Sequence, residues 1–205
     1  VKSGRKKYAH PKKGGWEDHY SRQAKKERYP ARSVYKLKEI QRKYNLLKSG
    51  DAVLDLGCYP GSWLLYAAEV VGSRGRVSGI DLKQVSVELP GHVRVHTGDI
   101  RAIDGRVFKS IGTGYNVVLS DLAPSTTGSR ITDAERSIQL CRASLRIARS
   151  VLVRGGSFVC KMFQGEDSRK FSDSVSTEFN QNELFKPQSS RKTSREIYVI
   201  GLGRK

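Results

Sequence analysis

The sequence holds no apolar run approaching the roughly 18 residues that a membrane helix requires. Its N-terminus lacks the apolar core of a secretory signal, so the expectation is a cytoplasmic chain that is neither exported nor membrane-bound. Residues 1–30 show no amphipathic apolar face, which also counts against surface attachment to lipid. Cysteine is scarce. Cys58, Cys141 and Cys160 are an odd number, and none stands at metal-site spacing, so reduced thiols are expected rather than a disulfide framework. No His/Cys/Asp cluster supports a metal, and none is expected. Two phosphate-binding signatures are missing as well: there is no G-x-G-x-x-G and no glycine loop ending in Gly-Lys-Ser/Thr. Internal repeats are absent.

Acidic residues are also in deficit. Asp and Glu total 20 against 38 Lys and Arg, a formal net charge of +18 over 205 residues. The excess is uneven, with 16 basic and 4 acidic side chains in residues 1–50. A field of that size favours a polyanion as partner. Residues 1–30 read as a basic, loosely ordered arm, and 31–205 as a single domain of a size that buries a real core. Tyr8, Trp16, Tyr20 and Tyr29 interleave with the charge. Such rings either stack on unpaired bases or pack the arm onto the domain.

A helix is expected from about Ala31, where Val34, Leu37, Ile40 and Tyr44 recur at spacings of three and four. From Asp51 onward, short apolar runs alternate with amphipathic segments. Strands are expected at 52–56, 76–80, 93–97, 115–120 and 157–161, and helices at 62–71, 133–153 and 168–179. Gly155-Gly156 reads as the stop of the long helix. Segments 185–187 and 196–201 read as a closing β-hairpin with a basic loop. The alternation implies an α/β, Rossmann-like architecture: a mostly parallel, seven-stranded sheet, helices on both faces, and an antiparallel last strand. Ligands of such sheets bind at the carboxyl ends of the strands. Asp55, Asp81, Asp99, Asp121 and Lys161 all fall at or near those ends.

The segment Asp55-Leu56-Gly57-Cys58-Tyr59-Pro60-Gly61-Ser62-Trp63 joins the first strand to the first helix of this alternation. Its glycines let backbone approach a ligand closely, and the helix N-terminus offers N–H groups to an anion. Asp81 can accept two ribose hydroxyls, and Asp99 can hold an adenine amino group. The combination suits a ligand with a ribose, an adenine and an amino-acid carboxylate but no phosphate, a description that fits S-adenosylmethionine. Methyl transfer from a sulfonium needs an in-line nucleophile whose proton is removed or strongly hydrogen-bonded, and a buried or cation-flanked lysine serves that end. Lys161 ends an apolar strand and Lys36 sits on the preceding helix. Asp121 and Glu196 complete a candidate K-D-K-E group, weak by spacing alone because lysines abound here.

These segments, with Arg32-Ser33-Val34-Tyr35-Lys36-Leu37, Ser120-Asp121-Leu122-Ala123-Pro124, Phe158-Val159-Cys160-Lys161 and Ser190-Arg191-Lys192-Thr193-Ser194-Arg195-Glu196-Ile197-Tyr198, resemble the FtsJ/RrmJ family of RNA 2′-O-ribose methyltransferases. The likeness runs from about Arg32 to the end of the chain. It implies a catalytic tetrad of Lys36, Asp121, Lys161 and Glu196, with Lys161 as principal base. It places cofactor contacts at Gly61, Trp63, Asp81, Asp99 and Asp121, alongside Asp55 and Gly57 of the glycine loop. The departures, Cys58-Tyr59 and Ser62 in the loop and Leu122 after Asp121, lose no polar side chain. The resemblance further implies an RNA partner, a uridine of large-subunit (23S) rRNA in the assembled 50S particle or, as an alternative, tRNA. The loop 189–195 and the arm would follow RNA backbone, and a monomer is expected because RNA must reach the open face. Rival chemistries fit less well. A cytosine-C5 enzyme needs a cysteine beside the strand-four proline, where Ser125 follows Pro124. A base-amino enzyme needs Asn/Asp-Pro-Pro-aromatic in place of Asp121-Leu122-Ala123-Pro124. A non-catalytic ribosome-assembly factor is a rival of another class, separable by turnover.

Overall fold

A computed structural model describes residues 19–102 and 109–205. Seven strands form one sheet in the order β3-β2-β1-β4-β5-β7-β6. These are β1 Ala52–Leu56, β2 Arg76–Asp81, β3 Val93–Thr97, β4 Tyr115–Ser120, β5 Leu152–Phe163, β6 Phe179–Phe185 and β7 Glu196–Arg204. The first five run parallel, and β7 inserts antiparallel between β5 and β6. The helices are α1 His19–Lys26, α2 Val34–Tyr44, α3 Ser62–Val71, α4 Arg130–Val151 and α5 Ser168–Ser176, with a 3-10 turn at Ile100–Ala102.

Strand periodicity assigns each residue to a face. Side chains alternate across a strand, so odd and even positions part company. Val53, Val117, Leu119, Val159, Tyr198 and Ile200 pack beneath Leu37 and Ile40 of α2 and Trp63, Leu64 and Ala67 of α3. Leu54, Leu56, Val118, Phe158, Cys160, Met162 and Val199 pack beneath Ile138, Leu145 and Ala148 of α4 and Phe171 and Val175 of α5. Each fully buried aliphatic side chain in these layers contributes about 1.5–3 kcal/mol. All of β1 is buried, as a parallel strand covered on both faces must be.

The segment read as a loose arm is corrected over residues 19–30. Ala24 and Tyr29 are buried, and the tilted rings of Tyr20 and Tyr35 meet with centroids 5.3 Å apart. The Tyr29 hydroxyl donates to Glu69 of α3 at 2.6 Å. Lys38 lies 4.5 Å above the Tyr29 ring, pinning the turn after α1 to α2. Tyr8 and Trp16 lie outside the described residues.

Several boundaries also differ. The helix expected from Ala31 begins at Val34, because residues 31–33 form tighter turns whose carbonyls accept from the amides three residues on. The glycine pair does not stop a helix: α4 ends at Val151, and β5 runs through Gly155. The register shift between Tyr115 and Val117 marks a bulge there, and Gly155 takes φ +78°, which only glycine adopts readily. The edge strand β6 is longer and earlier than expected. Its sequence Phe-Asn-Gln-Asn-Glu-Leu-Phe is polar because one side of an edge faces solvent, so the apolar period is lost.

Candidate active site

Register assembles the site. Asp55, Lys161 and Glu196 share strand parity with the residues under α2 and α3, and Asp121 is the first residue beyond β4 with that parity. Cys160 is opposite Ser120, so Lys161 comes level with Asp121, and Lys161 is directly opposite Tyr198 on β7. Glu196 opens β7 opposite Phe163. All therefore emerge on one face at the carboxyl end of β4 and β5, beneath the helix that carries Lys36.

Two ion pairs result. Lys161 Nζ donates to the Asp121 carbonyl at 2.6 Å and lies 3.0 Å from Asp121 Oδ1. Lys36 Nζ lies 2.6 Å from Glu196 Oε1. The four side chains are only 7–16% exposed. The Tyr198 hydroxyl donates to Asp121 Oδ1 at 2.6 Å. Burial alone would push the Asp121 carboxyl up, but Lys161, then Lys36, and the Tyr198 hydroxyl outweigh it and hold the group below its ordinary value. Burial, followed by the charges of Asp121 and Glu196, raises the Tyr198 phenol far above its usual range, so it remains a donor.

Lys36 is fixed by the turn ahead of α2. The Trp63 indole N–H donates to the Ser33 carbonyl at 2.9 Å, and its ring lies 6.0 Å from that of Tyr198. Ser62 Oγ accepts from the Ala31 amide at 2.8 Å and donates to the Ala31 carbonyl at 3.1 Å. Trp63, expected at the cofactor, thus lies in the α2–α3 core layer and supports Tyr198 and the Lys36 helix from behind. Tyr198 and Ser62 are functional neighbours that sequence reasoning passed over. Tyr198 was detectable as the residue two beyond Glu196 on the same strand face.

A cleft of about 670 Å³ opens beside Asp121, bordered by Gly57, Asp81, Asp99 and Leu122. Gly57 has φ +83°, and a Cβ there would come within 2.5 Å of Leu122 Cδ2. Gly61, at φ +112° as the N-cap of α3, admits Val87, whose Cγ2 would lie 2.8 Å from a Cβ. Asp81 is aimed by backbone: Oδ2 accepts from Tyr59 N at 3.0 Å and Oδ1 from Lys83 N at 2.9 Å. Each oxygen keeps a lone pair for a ligand hydroxyl. Asp99 is engaged by Arg101, whose Nη2 lies 2.7 Å from Oδ2, and that hydrogen-bonding lowers its carboxyl.

Asp55 is fully buried, and neither carboxylate oxygen has a hydrogen-bond partner. Burial, then the charges of Asp121 and Asp81, push it well above its ordinary value. An orphaned buried carboxylate is costly and marks a place where a cationic group belongs. A glycine-walled cleft, strand-end carboxylates and that orphan fit an aminoacyl-nucleoside sulfonium such as S-adenosylmethionine. The thiol of Cys58, raised by burial, and the buried Cys141 and Cys160 offer no nucleophile. Among the described residues there is no group of three or more His, Cys, Asp or Glu placed to hold a metal.

A cleft at the strand ends abutting a lysine–carboxylate cluster on this sheet is the arrangement of a Rossmann-like methyltransferase. Residues 29–204 match the model of the FtsJ-like methyltransferase family. A protein of Desulforapulum autotrophicum named ribosomal RNA large subunit methyltransferase E is 52% identical over 195 residues, 95% of this chain and 96% of that relative. One of Desulfosudis oleivorans with the same name is 53% identical over 188 residues, covering 92% and 91%. The crystal structure of a Plasmodium falciparum protein described as a ribosomal RNA methyltransferase superposes with TM-score 0.74 at 28% identity, over 86% of this chain and 98% of that one. The chain belongs to the FtsJ-like methyltransferase family.

Proposed function

We propose that the chain methylates a ribose 2′-hydroxyl of large-subunit ribosomal RNA, with S-adenosylmethionine as donor and a uridine of the assembled subunit as target. The observation that carries this reading is the hold of Asp121 on Lys161 through both its carbonyl and its carboxylate, next to the Lys36–Glu196 pair. The names borne by the bacterial relatives support the ribosomal substrate.

When bound, the cofactor supplies an electrophilic methyl carbon on a sulfonium. Asp81 would hold its ribose, Asp99 its adenine, and Asp55 its amino group, beside Gly57 in the cleft wall. Lys161 Nζ has three hydrogen-bonding positions, and Asp121 occupies two of them. As the neutral amine, Lys161 turns two N–H groups to Asp121 and its lone pair to the 2′-hydroxyl, whose proton it takes as that oxygen attacks. The Asp121 carboxylate, held ionised by its neighbours, stabilises the resulting lysine cation. Lys36 and Glu196 brace each other and flank the ribose. The net charge of +18 draws in the polyanion. Residues 1–18 carry six Lys and Arg, and we assign them to RNA backbone. A truncation that tests this must stop before His19, since Ala24 and Tyr29 are part of the packed domain.

The test is methyl transfer from labelled S-adenosylmethionine to undermethylated large subunits, small subunits, total tRNA and naked rRNA, followed by digestion to nucleosides. A 2′-O-methylnucleoside made on large subunits alone is the expected result. The same product on tRNA would relocate the substrate. No label on any RNA, with the cofactor measurably bound, would favour an assembly factor.

A further inference from the structure

Next to the tetrad, on the side of Lys36 and Glu196, lies a recess of about 400 Å³, bordered also by Arg32, Ser33, Arg191 and Thr193. Its lining carries three cations and one carboxylate, and that carboxylate, Glu196, already pairs with Lys36. The lining is therefore net cationic and shaped for an anion.

Arg32 is held through its side chain, and the exposed Arg191 is placed by the backbone of its loop. Arg32 stands in the turn ahead of α2. Its Nη2 donates to the Ser189 carbonyl, and its guanidinium lies 5.4 Å above the Tyr20 ring. Arg191 comes from the β6–β7 loop, which Glu39 of α2 anchors. The Glu39 carboxylate accepts from Gln188 N at 2.6 Å and Ser189 N at 2.8 Å. The turn closes where Ser194 N donates to the Arg191 carbonyl at 2.9 Å. Burial and then the charge of Arg191 depress Arg32, with Glu196 opposing, so the two guanidiniums act on each other across the recess. Holding like charges in register is costly unless an anion joins them, and a planar guanidinium suits phosphate.

We propose that Arg32 and Arg191 form a clamp for the internucleotide phosphodiester that flanks the target ribose. This rests on the RNA methyltransferase reading above. Lys36 and Glu196 belong to both the tetrad and the recess. Every ribose within RNA carries a phosphodiester on its 3′ and 5′ oxygens. A sugar held beside Lys161 and Lys36 therefore carries a phosphate on either side, and the recess that shares Lys36 and Glu196 is the cationic place for one of them. The clamp recognises backbone and not base, so it positions the 2′-oxygen and leaves sequence choice to other contacts.

The test uses full-length protein, undermethylated large subunits and a salt titration. Arg191→Gln, on the exposed side of the recess, is the first variant. It is expected to raise KM about tenfold and to reduce the salt slope of log kcat/KM by about 0.7–0.9, the share of one phosphate. Its affinity for S-adenosylmethionine should equal that of wild type. Arg191→Lys should restore the salt slope and only part of KM, since the charge returns without the fork. Arg32→Lys should raise KM likewise while keeping the slope. Lys48→Gln is the charge-matched control, ahead of β1 at the opposite end of the sheet, and should change neither quantity. If Arg191→Gln behaves like Lys48→Gln on an active wild-type background, the clamp is wrong and the methyltransferase reading stands. If the wild type methylates no RNA, both fall together.

Discussion

Asp55 and Asp121 sit at the carboxyl ends of adjacent parallel strands, on the same face of the sheet, and burial presses on both in the same direction. They end in opposite states. Asp121 is met by Lys161, Lys36 and the Tyr198 hydroxyl, which hold it ionised. Asp55 is met by no donor, and by the charges of Asp121 and Asp81, so its protonated form is favoured. The difference separates two kinds of site. One carboxylate has its counter-charge built into the chain. The other has none, and under the proposed function that counter-charge arrives with a ligand.

The largest effect is expected from taking away Asp121's principal partner. Lys161→Ala should abolish methyl transfer, a loss of at least about a hundredfold to ten-thousandfold for a proton-transfer group. Cofactor affinity, measured by calorimetry, should stay near wild type, because Asp81, Asp99 and Asp55 are untouched. Lost cofactor binding in a folded variant would place Lys161 in the wrong half of the site. Breaking one side of so buried a pair should also cost about 3 kcal/mol in denaturant unfolding. Next comes Tyr198→Phe, which removes a single hydroxyl from Asp121. A hydrogen bond to a charged group contributes about 1.5–3 kcal/mol, so unfolding stability should fall by that amount and turnover by about tenfold. Unchanged stability would mean that the lysines alone keep Asp121 ionised.

Much of this contrast was legible in the sequence. The strands at 52–56, 93–97 and 115–120 and the helix at 62–71 have the expected bounds: 52–56 and 115–120 are apolar, largely buried runs, 93–97 alternates valine with polar residues, and glycines bound the helix. Lys36, Asp121, Lys161 and Glu196 were named as a group, and parity along each strand places three of them on one face. Strand order was not readable. The insertion of β7 between β5 and β6, which brings Tyr198 opposite Lys161, is a long-range pairing with no local signature. Most of the polar edge strand β6 and the helix α1 were missed for the same reason. Their burial is supplied by distant residues, such as Glu69 for Tyr29, rather than by their own periodicity. Trp63 was named for the cofactor, yet its indole N–H is spent on Ser33.

Asp55→Asn tests the other half of the comparison, with a smaller expected effect. Cofactor affinity should fall about tenfold, since a charge partner for the amino group is gone. Stability without ligand should hold or rise at neutral pH, by up to about 1–3 kcal/mol, because a carboxylate without partners is removed. A loss of stability would show that Asp55 is satisfied in a way the geometry does not reveal.

The smallest effect is the pH profile, and its two limbs have opposite sign. Asp121 is lowered in the folded state. Its contribution is present above 3.8 and disappears only as pH falls through its depressed value. Asp55 is raised. Its contribution is present below 3.8 and is lost as pH climbs from there to its elevated value, so ligand-free stability should decline across that window. Asp55→Asn should flatten the decline and leave the acid limb, which belongs to Asp121, in place. Binding of a cationic amino group next to Asp55 then favours its ionised form, so within that window cofactor binding should release up to one proton. Calorimetry in buffers of different ionisation enthalpy counts that proton. Its persistence in Asp55→Asn would assign the release to another group, and would leave Asp55 a structural oddity rather than the waiting half of a pair.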